Sequence, residues 1–129
     1  MDNHAQMVID HLCDSYQKQL SVYSQLIGNG QKMLNALLLN RAQASSLNKL
    51  FEKKQQLVEI IETERMHIQT DATEWQNIKG TIEHNPQVDN LNHLLEDIEK
   101  AIRKFLTNED QLRLHLEKFF GVSFGEPQT

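Results

Sequence analysis

Glu64-Arg65-Met66-His67 is the place in this 129-residue chain where residue type and spacing come nearest to metal chemistry. A glutamate and a histidine three residues apart share one helical face. Carboxylate-bridged dimetal bundles use that Glu-x-x-His step twice and add glutamates from two further helices. The second half is missing here, because neither His93 nor His115 has a glutamate three residues before it. His67 also lies well round from the centre of its own helix's apolar face. Cys13 follows His11 by two residues, a spacing that turns the side chains apart on a helix, so no thiolate–imidazole pair forms within it. The thiol is expected to be buried and inert. Gly28-Asn29-Gly30 lacks the preceding strand and the spacing of a phosphate-cradling loop. The sequence therefore offers no catalytic set, no metal ligands and no cofactor site, and the chain is not read as an enzyme.

What positions these residues is a set of long amphipathic helices. From Val88, apolar residues recur at Leu91, Leu95, Ile98, Ile102, Phe105, Leu112, Leu116 and Phe119, in alternating steps of three and four that only Glu109 interrupts. That seam predicts a helix over 86–120. Asn85 supplies a cap, Pro86 suits the first helical position, and Gly121 suits the residue past the end. A first helix over 3–40 carries Ile9, Leu12, Tyr16, Leu20, Tyr23, Ile27, Leu34 and Leu37 on one face. The apolar phase runs straight through Gly28-Asn29-Gly30, so the helix is expected to continue there, thinned at Gly30 where a neighbour comes close. Its solvent side is rich in amides and poor in charge: Asn3, Gln6, Gln17, Gln19, Ser21, Ser24, Gln25 and Asn35.

A second helix over 44–79, capped by Ser45 or Ser46 and stopped at Gly80, puts Leu47, Leu50, Phe51, Leu57, Val58, Ile61, Ile68, Ala72, Trp75 and Ile78 on one face. On the third helix Glu96–Lys100, Glu99–Arg103 and Glu109–Arg113 are pairs four apart that mark a solvated side. Short connections force neighbouring helices to alternate in direction. The expectation is all-α: an elongated antiparallel three-helix bundle forming one domain over 1–121, with 122–129 a frayed tail.

Composition narrows the function classes. The formal net charge is −5 and charged residues make up 24% of the chain, with the basic ones scattered. That argues against a nucleic-acid surface, which needs clustered Lys and Arg. One cysteine permits no internal disulfide. The amino-terminal residues lack the charge and hydropathy pattern of a secretory leader, and no apolar run is long enough to span a bilayer. A cytoplasmic protein without membrane insertion is expected. Some apolar residues fall on the wrong side. Leu114 points opposite the third helix's seam, and Met66 does the same on the second. With Phe120 and Phe124, Leu114 makes a candidate docking strip for a partner helix, and Met66 is a further candidate partner-binding residue.

The segment from Tyr23 to Glu64 resembles the flagellar type III export chaperones of the FlgN and FliT kind. The resemblance rests on Met33-Leu34 and Ala36-Leu37 ending one helix, a short polar break, and Leu47, Leu50, Gln56, Leu57, Val58 and Ile61 in the next. It implies a cytosolic chaperone that binds a helical segment of a late flagellar subunit, a hook-associated or cap protein, and prevents its premature assembly. Two other readings stay open. One is a coiled-coil scaffold that self-associates, for instance as a homodimer; the other is a small metal-binding or enzymatic bundle.

Overall fold

The computed structural model describes residues 3–38 and 44–120. They form four helices: α1 (Asn3–Leu38), α2 (Ala44–His67), α3 (Gln69–Ile78) and α4 (Pro86–Phe120), with a 3₁₀ turn at Lys79–Thr81 after α3. There is no strand among the described residues, so the fold is all-α. None of these helices is long and apolar enough to cross a membrane.

The start of α4 follows the sequence signal closely. Asn85 Oδ1 accepts from the Val88 N–H at 3.0 Å, and the Asn85 carbonyl accepts from the Asp89 N–H at 3.1 Å. Pro86 occupies the first helical position, where its missing N–H leaves no bond unmade. The expected third-helix bounds of 86–120 are those of α4. Helix α1 continues through Gly28-Asn29-Gly30, as the phase of its apolar face requires. The reason given for Gly30 needs correction. Although Gly30 is buried, a Cβ built on it meets no heavy atom within 4 Å, so no neighbour exploits the missing side chain.

The expected second helix is in fact two. Ile68 leaves the helical region at φ −100° and ψ 5°, which ends α2 and starts α3. The interruption is local, because Ile68 still donates to the Glu64 carbonyl and Ala72 still donates to that of Ile68. Its cause lies in the spacing of the buried residues. Leu47, Ile61, Ile68 and Trp75 are all buried and stand at multiples of seven. On a straight helix a seven-residue repeat drifts about 20° per heptad, hence about 80° from Leu47 to Trp75. The break at Ile68 takes up that drift and keeps Trp75 in the core. Ser45 and Ser46 lie inside the first turn of α2 rather than before it. Residues 39–43, 121 and the tail 122–129 lie outside the described residues.

The core runs along α1 as three clusters. Val8, Ile9 and Leu12 meet Ile68, Trp75 and Leu91; Val22, Tyr23 and Leu26 meet Leu57, Ile61 and Ile98; Met33, Leu34 and Leu37 meet Leu47 and Leu112. Thus α4 ascends beside α1 in the same sense, and α2 followed by α3 runs the opposite way. Helix α1 packs against all three others. Among the described residues, however, no Cα of α2 or α3 comes within 8 Å of a Cα of α4.

Two sequence expectations about facing are corrected here. Gln19, expected on the solvent side, is buried and donates to Ser15 Oγ at 3.2 Å. Glu109 is not on a solvated outer side: it stays in the α4 seam and pairs with Lys54 of α2. Arg113 pairs with Glu117, and the expected Glu99–Arg103 pair forms.

Leu91 is completely buried, so Leu91→Ala should lose about 2–5 kcal/mol, the range for emptying a leucine site. Glu96→Ala on the exposed side should stay within about 0.5 kcal/mol. Equal losses in urea melts would mean the core is misassigned. Gly30→Ala should raise stability by up to about 1 kcal/mol, since helix propensity improves and nothing obstructs the added methyl. A lower melting temperature for this variant would show a close neighbour after all.

Candidate functional site

Two kinds of surface feature compete for attention: polar side chains held between α1 and α2, and apolar side chains left outside the core. Ser15 and Gln19, one turn apart on α1, are both buried. Ser15 Oγ–H donates to Glu64 Oε2 at 2.9 Å, and Lys18 Nζ reaches Glu64 Oε1 at 2.7 Å. The Lys18 contact, with help from Ser15, holds the Glu64 carboxyl below the usual carboxylate range despite its partial burial. A cleft of about 300 Å³ opens beside this group, lined by His11, Asp14, Ser15, Lys18, Glu64, His67 and Ile68.

The Glu64–His67 step thus has a different role from the one its spacing suggested. Glu64 accepts from two α1 side chains, and no three His, Cys, Asp or Glu side chains converge on a metal position among the described residues. Nor does the cleft resemble a nucleophilic centre. The Ser15 proton is committed to a carboxylate whose lowered pKa makes it a weak base. On the other side of α1, Cys13 accepts from Asn90 Nδ2 at 3.6 Å. Burial pushes the Cys13 thiol up, outweighing the Asn90 hydrogen bond, so the group stays a thiol rather than the reactive thiolate. These contacts tie helices together.

Of the apolar residues singled out from the sequence, Leu114 and Met66 lie far apart. Leu114 is half exposed, and Met66 is 76% exposed. Near Leu114, the α4 residue Leu112 shares a cluster with Leu47, whereas Ile68, next to Met66, shares one with Leu91. The two sites therefore lie at levels about 20 residues of α4 apart, about 30 Å along the helix. Met66 lines a shallow hollow with Glu62, Arg65 and Gln69. The Phe120 side chain and all of Phe124 lie outside the described residues.

A longer groove with Phe51 and Val58 among charged and amide side chains lies on α2, and sequence reasoning missed it. Phe51, Lys54, Gln55, Val58, Glu59 and Glu62 line an open groove of about 480 Å³. Their steps of three and four follow one stripe of the helix over about 16 Å. The groove borders α4: Lys54 bridges to Glu109, and Val58 flanks the same core cluster as Ile102 and Phe105 of α4. Leu106, one turn before Glu109, is 55% exposed at this level. Phe51 was expected in the core with Leu47 and Leu57, yet it is exposed while they are buried. The available signal was Lys54, a charge set between Phe51 and Val58 at helical spacing, which marks the edge of the buried face.

Glu64→Gln should cost about 1–3 kcal/mol at neutral pH, the range for weakening a buried hydrogen-bonded group. Because the folded-state pKa is lowered, the contribution of Glu64 is present above the ordinary carboxylate range and is lost as pH falls through the lowered value. The wild-type and Glu64→Gln urea midpoints should therefore converge as the pH falls below the ordinary carboxylate range. A constant difference through that fall would mean the carboxylate charge is not what holds the tie. No family model, no curated protein and no solved structure matches this chain.

Proposed function

We propose that this protein is a cytosolic flagellar export chaperone that binds a helical segment of a late flagellar subunit, a hook-associated or cap protein, and prevents its premature assembly. In this reading α1, the α2–α3 pair and α4 make an elongated antiparallel three-helix bundle with one seam left open. The observation that carries it is the separation of α2 from α4. Both lean on α1, yet no Cα of α2 comes within 8 Å of one of α4, and Phe51 of α2 and Leu106 of α4 are exposed near the level of the Lys54–Glu109 pair. A fourth helix laid there would pack against α2 and α4 together, as one does in a four-helix bundle. The Tyr23 to Glu64 pattern supplies the family; Leu114 and Met66 become outlying contacts rather than the centre of the site.

The test is calorimetric titration with the helical carboxy-terminal segments of hook-associated and cap proteins. Phe51→Asp should weaken binding by at least about tenfold, or about 1.4 kcal/mol, with the melting temperature little changed. Glu96→Ala should bind as wild type does. If no such segment binds the wild-type protein, the chaperone reading falls. A stable dimer by light scattering that Phe51→Asp dissociates would favour the self-associating scaffold instead.

A further inference from the structure

We infer that the occupant of the α2 groove is an amphipathic helix whose apolar stripe is flanked by lysine or arginine. The inference rests on the groove being a docking site and goes on to specify the chemistry of what docks. The apolar floor is short: Phe51 and Val58 on α2, seven residues apart, while Leu106 of α4 is exposed one turn before the Glu109 that pairs with Lys54. An occupant that matches it presents apolar residues at i, i+3 or i+4, and i+7, over about three helical turns. No strand edge exists among the described residues to pair with an extended peptide.

The rim decides the charge. Glu59 and Glu62 line the groove, and both are exposed. Across the gap Asp110 is exposed one turn beyond Leu106. Most cations near these edges are engaged. Lys54 pairs with Glu109, Arg103 with Glu99 and Arg113 with Glu117. Arg65 lies beyond the lining residues, a turn past Glu62. Glu59, Glu62 and Asp110 have no ion-pair partner among the described residues, which leaves the rim acidic. Like charge brought to that rim is repelled and opposite charge is steered in, with an effect that salt screens.

Two synthetic helical peptides of about 20 residues, each with the same leucine stripe and flanked by lysine in one case and glutamate in the other, test this on the full chain. The lysine-flanked peptide should bind at least about tenfold tighter at about 0.02 M salt, and the ratio should shrink at about 0.5 M. Glu59→Lys with Glu62→Lys, both at exposed positions, should reduce or reverse the preference without lowering the melting temperature. Equal binding of the two peptides, or preference for the glutamate peptide, overturns the charge inference. If Phe51→Asp abolishes that equal binding, the groove still stands as the docking site. If Phe51→Asp and Gln55→Lys both leave the peptides' affinities unchanged, the groove is not the site and both readings fall. A dimer closed through Phe51 would make a second copy the occupant and overturn the basic-helix inference.

Discussion

The width of the buried arc on α1 governs this molecule. Tyr23 stacks at a tilt on Phe105 of α4, with ring centroids 6.2 Å apart, while Ser15 and Asn29 bond to α2. At 100° per residue Ser15 and Tyr23 stand about 80° apart, and Cys13, which meets Asn90 of α4, lies farther round still. One helix thus presents two adjoining faces to two partners. The partners need only narrow faces in return, and they need not close on each other. An arc this wide makes α1 the member without which neither α2 nor α4 has a core to join.

Polar contacts then fix how the partners slide along that arc. An apolar seam alone tolerates slippage by a turn, since leucine resembles isoleucine to its neighbours. The Ser15–Glu64–Lys18 group and the Asn29 bond to the Leu50 carbonyl at 3.0 Å tie two levels of α1 to two levels of α2. Shifting α2 by one turn would leave Glu64 and Asn29 without these partners in a part-buried setting, which costs more than the contacts contribute when made. The Lys54–Glu109 pair does the same between α2 and α4. It is also the reason the α4 seam tolerates a glutamate: the carboxylate lies where a lysine from the facing edge can reach it.

These devices explain which parts of the structure could be read from the sequence. Asn85-Pro86 announces α4 because cap chemistry is local, and continuity through Gly28-Asn29-Gly30 is visible because phase is local too. The break at Ile68 has neither glycine nor proline to mark it; it follows from drift accumulated over the three heptads from Leu47 against a fixed partner. Gln19 and Phe51 were placed on the wrong sides for one reason. Periodicity tells which residues share a face but not how far round the partner's cover extends. Gln19 falls inside the wide arc of α1, whereas Phe51 falls outside the narrower arc that α2 needs. The same limit turned Glu64, a cross-helix tie, into half of a metal signature.

The open seam is a consequence of that asymmetry rather than a defect of packing. Closing it would bring α4 onto Phe51 and Val58, but α4 already gives Leu91, Leu94, Ile98 and Leu112 to the core. Rolling it toward α2 would expose those buried side chains in exchange for covering one phenylalanine and one partly covered valine. At roughly 25 cal/mol per Å² of apolar surface, that exchange is unfavourable. The gap therefore persists while α1 stays covered, and its exposed apolar strip is small enough for a chain of this size to carry in water. A helix arriving from outside faces no such exchange. Docked as proposed, it would cover Phe51 and Val58 without uncovering anything, and it would favour the arrangement in which α2 and α4 are both seated on α1. Its affinity would then add to the stability of the fold by mass action, so a partner in that gap would also steady the helices that hold it.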